Sequence, residues 1–499
     1  MKIEQLMDKE RKAQYQILSY LYKRSERVPQ RELLEVSKLS KVTLLKYLEN
    51  INNLFRLEHL SSYISFENEG VIIIDDNQFT WQQVIMVLLK DSIPYKLLRY
   101  FFTNEDFNVT FLAQKFLISE PTFNRYLAHI NACLEEFDIS IYQGKQTGSE
   151  LQWRYFYYEL FQLTLTKQEQ DEMTKDLDFE QLNRLIERFI GSEIARDQLE
   201  QLALWLTISQ KRFHFQKEKD LPSHFKFDYI NNNIFYKRLD RLMLHYLSRY
   251  AIEFDRFESK SLFIFLHSHP ILPIHSMEFI LGFGGPIADN ISEAIWLLRK
   301  ANIISNKAKE EIIYGLSLYY SKAFFFKGAI LGKVQSVDAL YQLLPSDERD
   351  KMELVVRHLF ILIGNKKILN SDFATSLKID LLELLIFSIE RQHNPLLIAL
   401  DFGSQSVKKA IVELSIGRYL DNNRNYHFEA YNPLHHYDCV LSYGNYHSQT
   451  NYPHFHLKSY MSPLELNNLQ LFLENKLKDK NSFAKENYQR EKRRSNFEH

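Results

Sequence analysis

Two segments in the first 150 residues share one pattern of apolar and polar positions. In each, a short amphipathic helix is followed by a turn, a serine suited to cap a helix, and a longer helix with one apolar stripe. This order predicts a helix-turn-helix motif in each segment. In the first copy the supporting helix covers Pro29–Ser37 and the longer helix covers Ser40–Phe55. Its predicted buried stripe is Leu44, Leu48, Ile51 and Phe55.

The second copy repeats this design. Its supporting helix is predicted over Asn108–Phe116, its turn at Leu117-Ile118 and its longer helix over Ser119–Phe137. A helical hairpin packed in another kind of core would show the same spacing, but the repetition favours two helix-turn-helix motifs. The predicted buried stripe of the second copy is Phe123, Leu127, Ile130 and Leu134.

The polar first turns of both longer helices are predicted to face outward, where a recognition helix meets base edges and phosphates. Within the second copy we expect Asn124 to contact a base and Arg125 a phosphate. The predicted DNA-binding residues are Ser40, Lys41, Val42, Thr43, Leu45, Lys46, Ser119, Glu120, Thr122, Asn124, Arg125 and Lys145.

A β-hairpin is predicted after each longer helix, in the position of a wing that reaches flanking phosphate or the minor groove. The first turn falls at Asn68-Glu69-Gly70, and the second lies within Gly144–Gly148, which places Lys145 on the second wing. The predicted strands are Tyr63–Phe66 and Val71–Ile74 in the first copy, and Ile139–Tyr142 and Leu151–Trp153 in the second.

The rest of the chain predicts a mainly α-helical, multidomain protein. From about Leu160 to Arg391 apolar residues recur three and four positions apart, with breaks at His269–Pro273 and Phe283–Pro286 that separate two helical bundles. After His393 strand-like runs alternate with helices, which predicts a small α/β domain. The predicted domains are 1–80 and 81–158 (winged helix-turn-helix), 159–283 and 284–392 (helical), 393–480 (α/β) and 481–499 (disordered tail).

Length and composition agree with this organisation. A chain of 499 residues is too long for one core and predicts three to five domains. Two distant cysteines, Cys133 and Cys439, fit a reducing compartment. The N-terminus has no apolar signal region, and no apolar run approaches the roughly 20 residues that span a bilayer. We therefore expect a cytoplasmic protein without membrane partners.

Net charge is −1, so the local distribution of charge matters more than the total. Residues 1–60 contain 12 Lys and Arg against 8 Asp and Glu, whereas residues 93–137 contain 4 against 5. The second motif is therefore no basic patch. This predicts modest base readout, a preference for AT-rich or curved DNA, and steep weakening by salt.

Catalytic and metal-binding patterns are weak. Paired histidines such as His454 and His456 have no carboxylate or cysteine at matching distance in the same element, so no metal site and no cofactor are expected. The sequence also contains no nucleophile elbow and no GKS or GKT phosphate loop. These patterns favour a binding protein over an enzyme.

In domain order and size the chain resembles the Mga/AtxA family of bacterial virulence regulators, and the two helix-turn-helix segments carry the closest similarity. The resemblance implies a cytoplasmic transcription factor with two N-terminal winged helix-turn-helix domains. It further implies two helical domains similar to phosphotransferase regulation domains (PRD) and a C-terminal domain similar to phosphotransferase enzyme IIB. The implied partners are double-stranded DNA, a second copy of the chain in a homodimer or larger assembly, and proteins of the sugar phosphotransferase system.

The resemblance also implies a phosphorylation site. The segment SLFIFLHSHP matches a histidine-bearing pattern of the regulation domains and places His267 at the histidine. The family has further histidines in three other segments. In this chain those segments contain no histidine: LALWLTISQKR, LSLYYSKAFFF and LLELLIFSIER. The enzyme IIB cysteine is replaced by Asp401, which argues against phosphotransfer catalysis and favours a docking remnant.

Three other functions stay open at this point. Similar regulation domains occur in RNA-binding antiterminators, although their RNA-binding modules are small β-rich dimers. The segment ALDFGSQSVKKAIVEL resembles the first phosphate loop of sugar kinases, with Asp401 facing ATP, although only 98 residues (499 − 401) follow it. A pure protein-interaction scaffold is the third, which an absence of salt-sensitive DNA binding would indicate.

Overall fold

The computed structural model describes most of the chain in two compact units, Met1–Ser388 and Ile389–His499. The predicted turn residues Asn68 and Glu69, part of the break at Phe283–Pro286 and the tail 481–499 lie outside the described residues. The described residues are 1–24, 26–67, 70–74, 80–215, 228–249, 256–276, 285–301, 303–304, 310–332, 336–344, 346–363, 371–392, 396–402, 406–419, 426–443, 451–458, 462–477 and 480.

The fold is mainly helical with a small C-terminal parallel sheet, which confirms the predicted fold class. Helices of the two helix-turn-helix copies and their connections are α1 (Lys9–Tyr22), α2 (Gln30–Ser37), α3 (Lys41–Leu57), α4 (Trp81–Leu89), α5 (Ile93–Thr103), α6 (Val109–Lys115), α7 (Glu120–Leu134) and α8 (Glu150–Thr164). The helical region adds α9 (Lys167–Thr174), α10 (Phe179–Ile190), α11 (Arg196–Lys211), α12 (Asp228–Asn232), α13 (Ile234–Arg249), α14 (Arg256–Ser268), α15 (Pro286–Lys300), α16 (Glu310–Phe325), α17 (Val337–Gln342), α18 (Ser346–Ile361) and α19 (Asp372–Gln392).

Two hairpins follow the recognition helices α3 and α7. Strands β1 (Tyr63–Glu67) and β2 (Gly70–Ile74) pair antiparallel, with Tyr63 opposite Ile74. Strands β3 (Ser140–Tyr142) and β4 (Lys145–Thr147) pair in the same way, with Tyr142 opposite Lys145. Both wings therefore exist, the first as predicted.

The second wing differs from its prediction. Leu151–Trp153, expected as its return strand, lies inside α8, and β4 takes that role instead. Gln143 and Gly144 have φ of 50° and 79°, which is the two-residue turn that lets a strand return at once. A longer loop to Leu151 is therefore unnecessary, and the aromatic run after Ser149 packs as a helix.

The predicted apolar stripes form the cores of the two copies. All four stripe residues of α3 are buried, at most 1% exposed. In α7, Phe123, Ile130 and Leu134 are fully buried, whereas Leu127 is only half-buried. The stripes attach each recognition helix to its own domain and leave the opposite face of the helix outward.

A non-helical stretch after α16, the connecting segment (residues 326–332), touches both helix-turn-helix copies. Near its start, the Gly328 carbonyl accepts a hydrogen bond from the Tyr155 hydroxyl of α8 at 3.0 Å. Near its end, the Leu331 carbonyl accepts from the Ile3 amide at 2.9 Å, and the Gly332 carbonyl accepts from the Trp81 indole at 2.9 Å. The segment thus fastens the helical region to the N-terminal domains through main-chain hydrogen bonds.

The second unit contains an all-parallel four-stranded sheet in the order β6-β5-β7-β8. The strands are β5 (Leu396–Asp401), β6 (Tyr426–Ala430), β7 (Cys439–Tyr443) and β8 (His454–Leu457), with helices α20 (Ser406–Tyr419) and α21 (463–477). Apolar residues of β5, β7 and α21 form one core, which includes Ile398, Leu441 and Leu469. The predicted α/β character of this region is therefore present.

The two cysteines are buried and unpaired with each other. No described helix combines the length and apolar character needed to cross a membrane. Across the described ranges, no group of three or more His, Cys, Asp or Glu side chains is arranged to hold a metal ion.

Candidate nucleic-acid interface

The two recognition helices begin with the same local structure. Ser40 and Ser119 are N-caps in extended conformation, and their hydroxyls accept hydrogen bonds from the amides of Thr43 and Thr122 at 3.2 and 3.4 Å. Such a cap satisfies one of the amides that a helix leaves unpaired in its first turn. The predicted N-caps are confirmed.

The turns before the caps also match. Lys38 and Leu117, two residues before each serine, have φ of 54° and 55°, in the left-handed region. A left-handed residue ends the supporting helix sharply, so the recognition helix starts in a new direction. Because Ser119 follows Ser40 by 79 positions (119 − 40) and Leu117 follows Lys38 by the same interval, the two motifs are structural repeats.

The structure presents most of the predicted contact residues to solvent. In the first copy the side chain of Val42 is 79% exposed, and Ser40, Lys41 and Lys46 are exposed beside it. Four side chains of the second copy are also exposed in and just after the first turn: Ser119, Glu120, Asn124 and Arg125. The leading turns are therefore open to a partner rather than covered by the rest of the first unit.

Four predicted residues have a more restricted environment. Thr43, Leu45 and Thr122 are half-buried, because they lie between the exposed face and the apolar stripe. The Glu120 carboxylate accepts a hydrogen bond from the Thr110 hydroxyl of α6 at 2.7 Å. That bond directs the acidic side chain toward its own supporting helix and leaves Asn124 and Arg125 as the outward groups.

An asparagine joins each recognition helix to the wing that follows it. The Asn52 side-chain amide donates to the Ile64 carbonyl at 2.9 Å and accepts from the Ile64 amide at 2.7 Å. The Asn131 side chain makes the same two bonds to Ile141, also at 2.9 and 2.7 Å. Each wing is therefore held directly against its recognition helix.

Sequence reasoning missed these two asparagines. Each lies twelve residues after its N-cap serine, at the same 79-residue interval that relates the two motifs (131 − 52). An identical polar residue at equivalent positions of an internal repeat was the available signal. A search for repeated polar residues, in addition to repeated apolar stripes, would have found it.

Lys145 lies on β4 beside the tip of the second wing and is exposed, as predicted. Its main chain also pairs with Asp106 in an isolated antiparallel β-bridge. The neighbouring Gln146 side chain is buried and donates to the Phe101 carbonyl of α5 at 2.7 Å. Together with the hydrogen bonds from Asn131 to Ile141 on β3, these contacts fix both strands of the wing to its domain.

His267 lies far from these turns, within the helical region. It is 6% exposed on α14, and its Nδ1 atom is hydrogen-bonded to the Ser321 hydroxyl of α16. Burial disfavours the charged imidazolium and lowers the pKa of His267 to about 4. The ring is therefore neutral near pH 7 and is enclosed between two helices.

Comparison with protein families supports the second copy directly. Residues 77–161 match the model of the Mga helix-turn-helix domain. The second copy is an Mga helix-turn-helix domain. The match runs from just before α4 to within α8, so the Mga domain includes α7, both strands of the second wing and most of α8. No curated protein matches the chain.

The match confirms the resemblance to Mga regulators. An Mga helix-turn-helix domain is the DNA-binding part of a transcriptional regulator, so the chain is a DNA-binding transcriptional regulator. Likeness of the helical region to regulation domains, and of the α/β unit to enzyme IIB, stays a prediction.

Proposed function

We propose that this regulator binds promoter DNA with both recognition helices, each placing its first turn in a major groove. The observation that carries the proposal is the repeated geometry of α3 and α7. In both, a capped first turn is exposed while the apolar stripe of the same helix is buried. Exposed amides and side chains at a helix N-terminus are suited to phosphate oxygens and base edges.

The two helices differ in how they contact DNA. In α3, Lys41 and Lys46 supply positive charge for phosphates, and Val42 supplies an apolar surface for a thymine methyl group. In α7, Asn124 matches the hydrogen-bonding edge of adenine, and Arg125 binds phosphate. With so few groups available for base readout, DNA shape contributes to specificity, and AT-rich or curved promoters are preferred.

Paired substitutions test these roles. Lys41→Ala/Lys46→Ala and Asn124→Ala/Arg125→Ala are each expected to weaken binding of a promoter fragment at least tenfold in a gel-shift assay. Arg184→Ala/Arg188→Ala on α10 is the matched control, because it removes two exposed positive charges outside the DNA-binding domains. If the control and both test pairs give the same affinity while the fold is retained, the assigned interface is wrong.

Self-association through the α/β unit is a further part of the proposal. Val407, Ile411 and Leu414 lie on one stripe of α20 and are 73%, 42% and 61% exposed. Apolar residues at this spacing on an exposed helix suit helix packing against a second copy. Ile411→Glu is expected to shift the full chain toward monomer in light scattering, and an unchanged mass would argue against this surface.

Phosphorylation of His267 by the sugar phosphotransferase system is the proposed regulatory input. A phosphoryl group would add about −1.5 to −2 charges, as on other side chains, between α14 and α16, where the ring is enclosed and uncharged. The added charge would push α14 and α16 apart. His267→Asp tests this input: if promoter activity and oligomeric state both stay unchanged, the proposal is wrong.

A further inference from the structure

The sequences of the two wings carry opposite charge. Residues 60–79, around the first wing, contain four acidic residues and no basic residue: Glu67, Glu69, Asp75 and Asp76. Residues 139–149, around the second wing, contain Lys145 as their one charged residue. Asp138, just before this stretch, is ion-paired with Lys327. The second hairpin thus supplies a cation for a DNA phosphate and the first supplies none; the exposed Asp106, whose main chain pairs with Lys145, lies beside that cation.

The tip of the second wing is suited to a phosphate. Tyr142 and Lys145 are directly opposite in the antiparallel pair, so their side chains leave the same face of the hairpin. Both are exposed, Tyr142 by 65%. An ammonium and a phenol hydroxyl side by side can both donate hydrogen bonds to phosphate oxygens.

The backbone of this tip tolerates little change. A Cβ atom on Gly144 would lie 2.8 Å from the Phe107 carbonyl oxygen, closer than such contacts allow. Because Gly144 also has a φ of 79°, the turn requires glycine there. The turn therefore holds the backbone of Tyr142 and Lys145 in one arrangement, from which both side chains extend on the same face.

Both wings are attached to their recognition helices in the same way, through Asn52 and Asn131. Their attachment therefore does not distinguish the two wings, whereas their charge does. The first copy thus serves as an internal control for the second.

We propose that the two copies divide the contacts with DNA: the second wing binds the DNA backbone through Lys145 and Tyr142, and the first wing does not contact DNA. Asn131 is the positioning residue that holds the second wing beside α7, so that helix and wing engage one duplex together. This inference rests on the proposed function, since it assigns contacts within the same protein–DNA complex.

The test uses the full chain and a labelled duplex that the chain itself has selected from a random pool. Lys145→Ala is expected to weaken binding about three- to tenfold. It should also reduce the slope of log affinity against log salt by about 1, as expected for one lost phosphate contact. Asn131→Ala should reproduce both effects, although it removes no charge, because the displaced wing no longer brings Lys145 to the phosphate.

The double variant Asn131→Ala/Lys145→Ala distinguishes positioning from general destabilisation. It should bind no more weakly than Asn131→Ala alone, because the same contact is already lost. Asn52→Ala, which removes the equivalent two hydrogen bonds in the first copy, is the matched comparison and should leave the salt slope unchanged. Circular dichroism of each variant checks that the fold is retained, and Lys145→Ala decides the wing contact if Asn131→Ala does not fold.

Each failure has its own meaning. If the unsubstituted chain selects no duplex, the proposed function itself is wrong. Should the chain bind DNA while Lys145→Ala keeps the full salt slope, the second wing makes no phosphate contact. An equal loss for Asn52→Ala and Asn131→Ala would show that the wings are not divided in role, and additive losses in the double variant would refute the positioning role of Asn131.

Discussion

Glu150 and Arg212 form a buried ion pair with two hydrogen bonds, of 3.1 and 2.9 Å, between the first residue of α8 and the residue after α11. Neither side chain is exposed. Glu150 also accepts from Arg154, whose guanidinium makes two further bonds to Glu258 of α14 at 2.6 and 2.9 Å. These four charges, two of each sign, join the helix that follows the second wing to the helical region.

Removing one member of this network should be costly. Glu150→Ala leaves two guanidinium groups buried with a single carboxylate, and loss of one partner of a buried pair typically costs about 3–5 kcal/mol. We expect hydrogen–deuterium exchange in α8 to accelerate by at least a hundredfold. Arg196→Ala, which breaks an exposed pair with Glu200, is the control and should leave exchange in α8 unchanged. Similar exchange in both variants would contradict the structural role of the network.

Two glycines with similar backbone angles should respond differently to substitution. Gly328 and Gly191 have φ of 79° and 84°, so alanine is strained by about 1 kcal/mol at either position. At Gly328, however, a Cβ atom would also lie 2.6 Å from the Phe137 ring, whereas nothing lies within 4 Å at Gly191. Differential scanning calorimetry should therefore show a clearly larger loss of stability for Gly328→Ala. Equal losses would mean that Phe137 moves aside freely.

The N-cap serines allow helix stability to be separated from DNA contact. Ser119→Ala removes the cap and should destabilise α7 by about 1 kcal/mol. Ser119→Asp keeps a capping oxygen but places a negative charge where a phosphate is proposed to bind, so it should preserve exchange protection and weaken DNA binding severalfold. Thr166→Asp changes the N-cap of α9 in the same way and should not affect DNA binding. Unimpaired binding by Ser119→Asp would exclude a phosphate at this turn.

Acid should weaken the region around His267. Its pKa is lowered by burial to about 4, below the unfolded value near 6.5, so the unfolded chain binds a proton first as pH falls. The stability contributed by the neutral ring is complete above about pH 6.5 and decreases as pH falls toward 4. Exchange in α14, corrected for its intrinsic pH dependence, should accelerate more between pH 7.5 and 5 in the native chain than in His267→Asn. Identical acceleration would show that His267 does not control this response.

Local patterns in the sequence predicted local structure well. The stripes of α3 and α7 and the N-cap serines were correctly identified because their signals lie within one or two helical turns. The second wing was predicted in the right place but with the wrong return strand. The return strand begins at Lys145 because Gln143 adopts a left-handed backbone conformation, which its residue type alone does not favour.

Contacts between distant residues were beyond this kind of reasoning. Glu150, Arg154, Arg212 and Glu258 each appear in the sequence as ordinary charges on amphipathic helices, and the fold alone brings them together. The asparagines that hold the wings are an intermediate case. They bond to residues ten or twelve positions away, and the internal repeat makes them recognisable once it is aligned.

The connecting segment imposes a constraint on how this regulator can change. The main chain from Phe326 to Gly332 is hydrogen-bonded to both N-terminal domains. Inserting or deleting one amino acid in this stretch would move its carbonyls away from their hydrogen-bond donors in both domains. Exposed surface loops generally tolerate changes in length better than a segment bonded in this way. A signal that displaces it would reach both N-terminal domains together, and the two would respond as one switch.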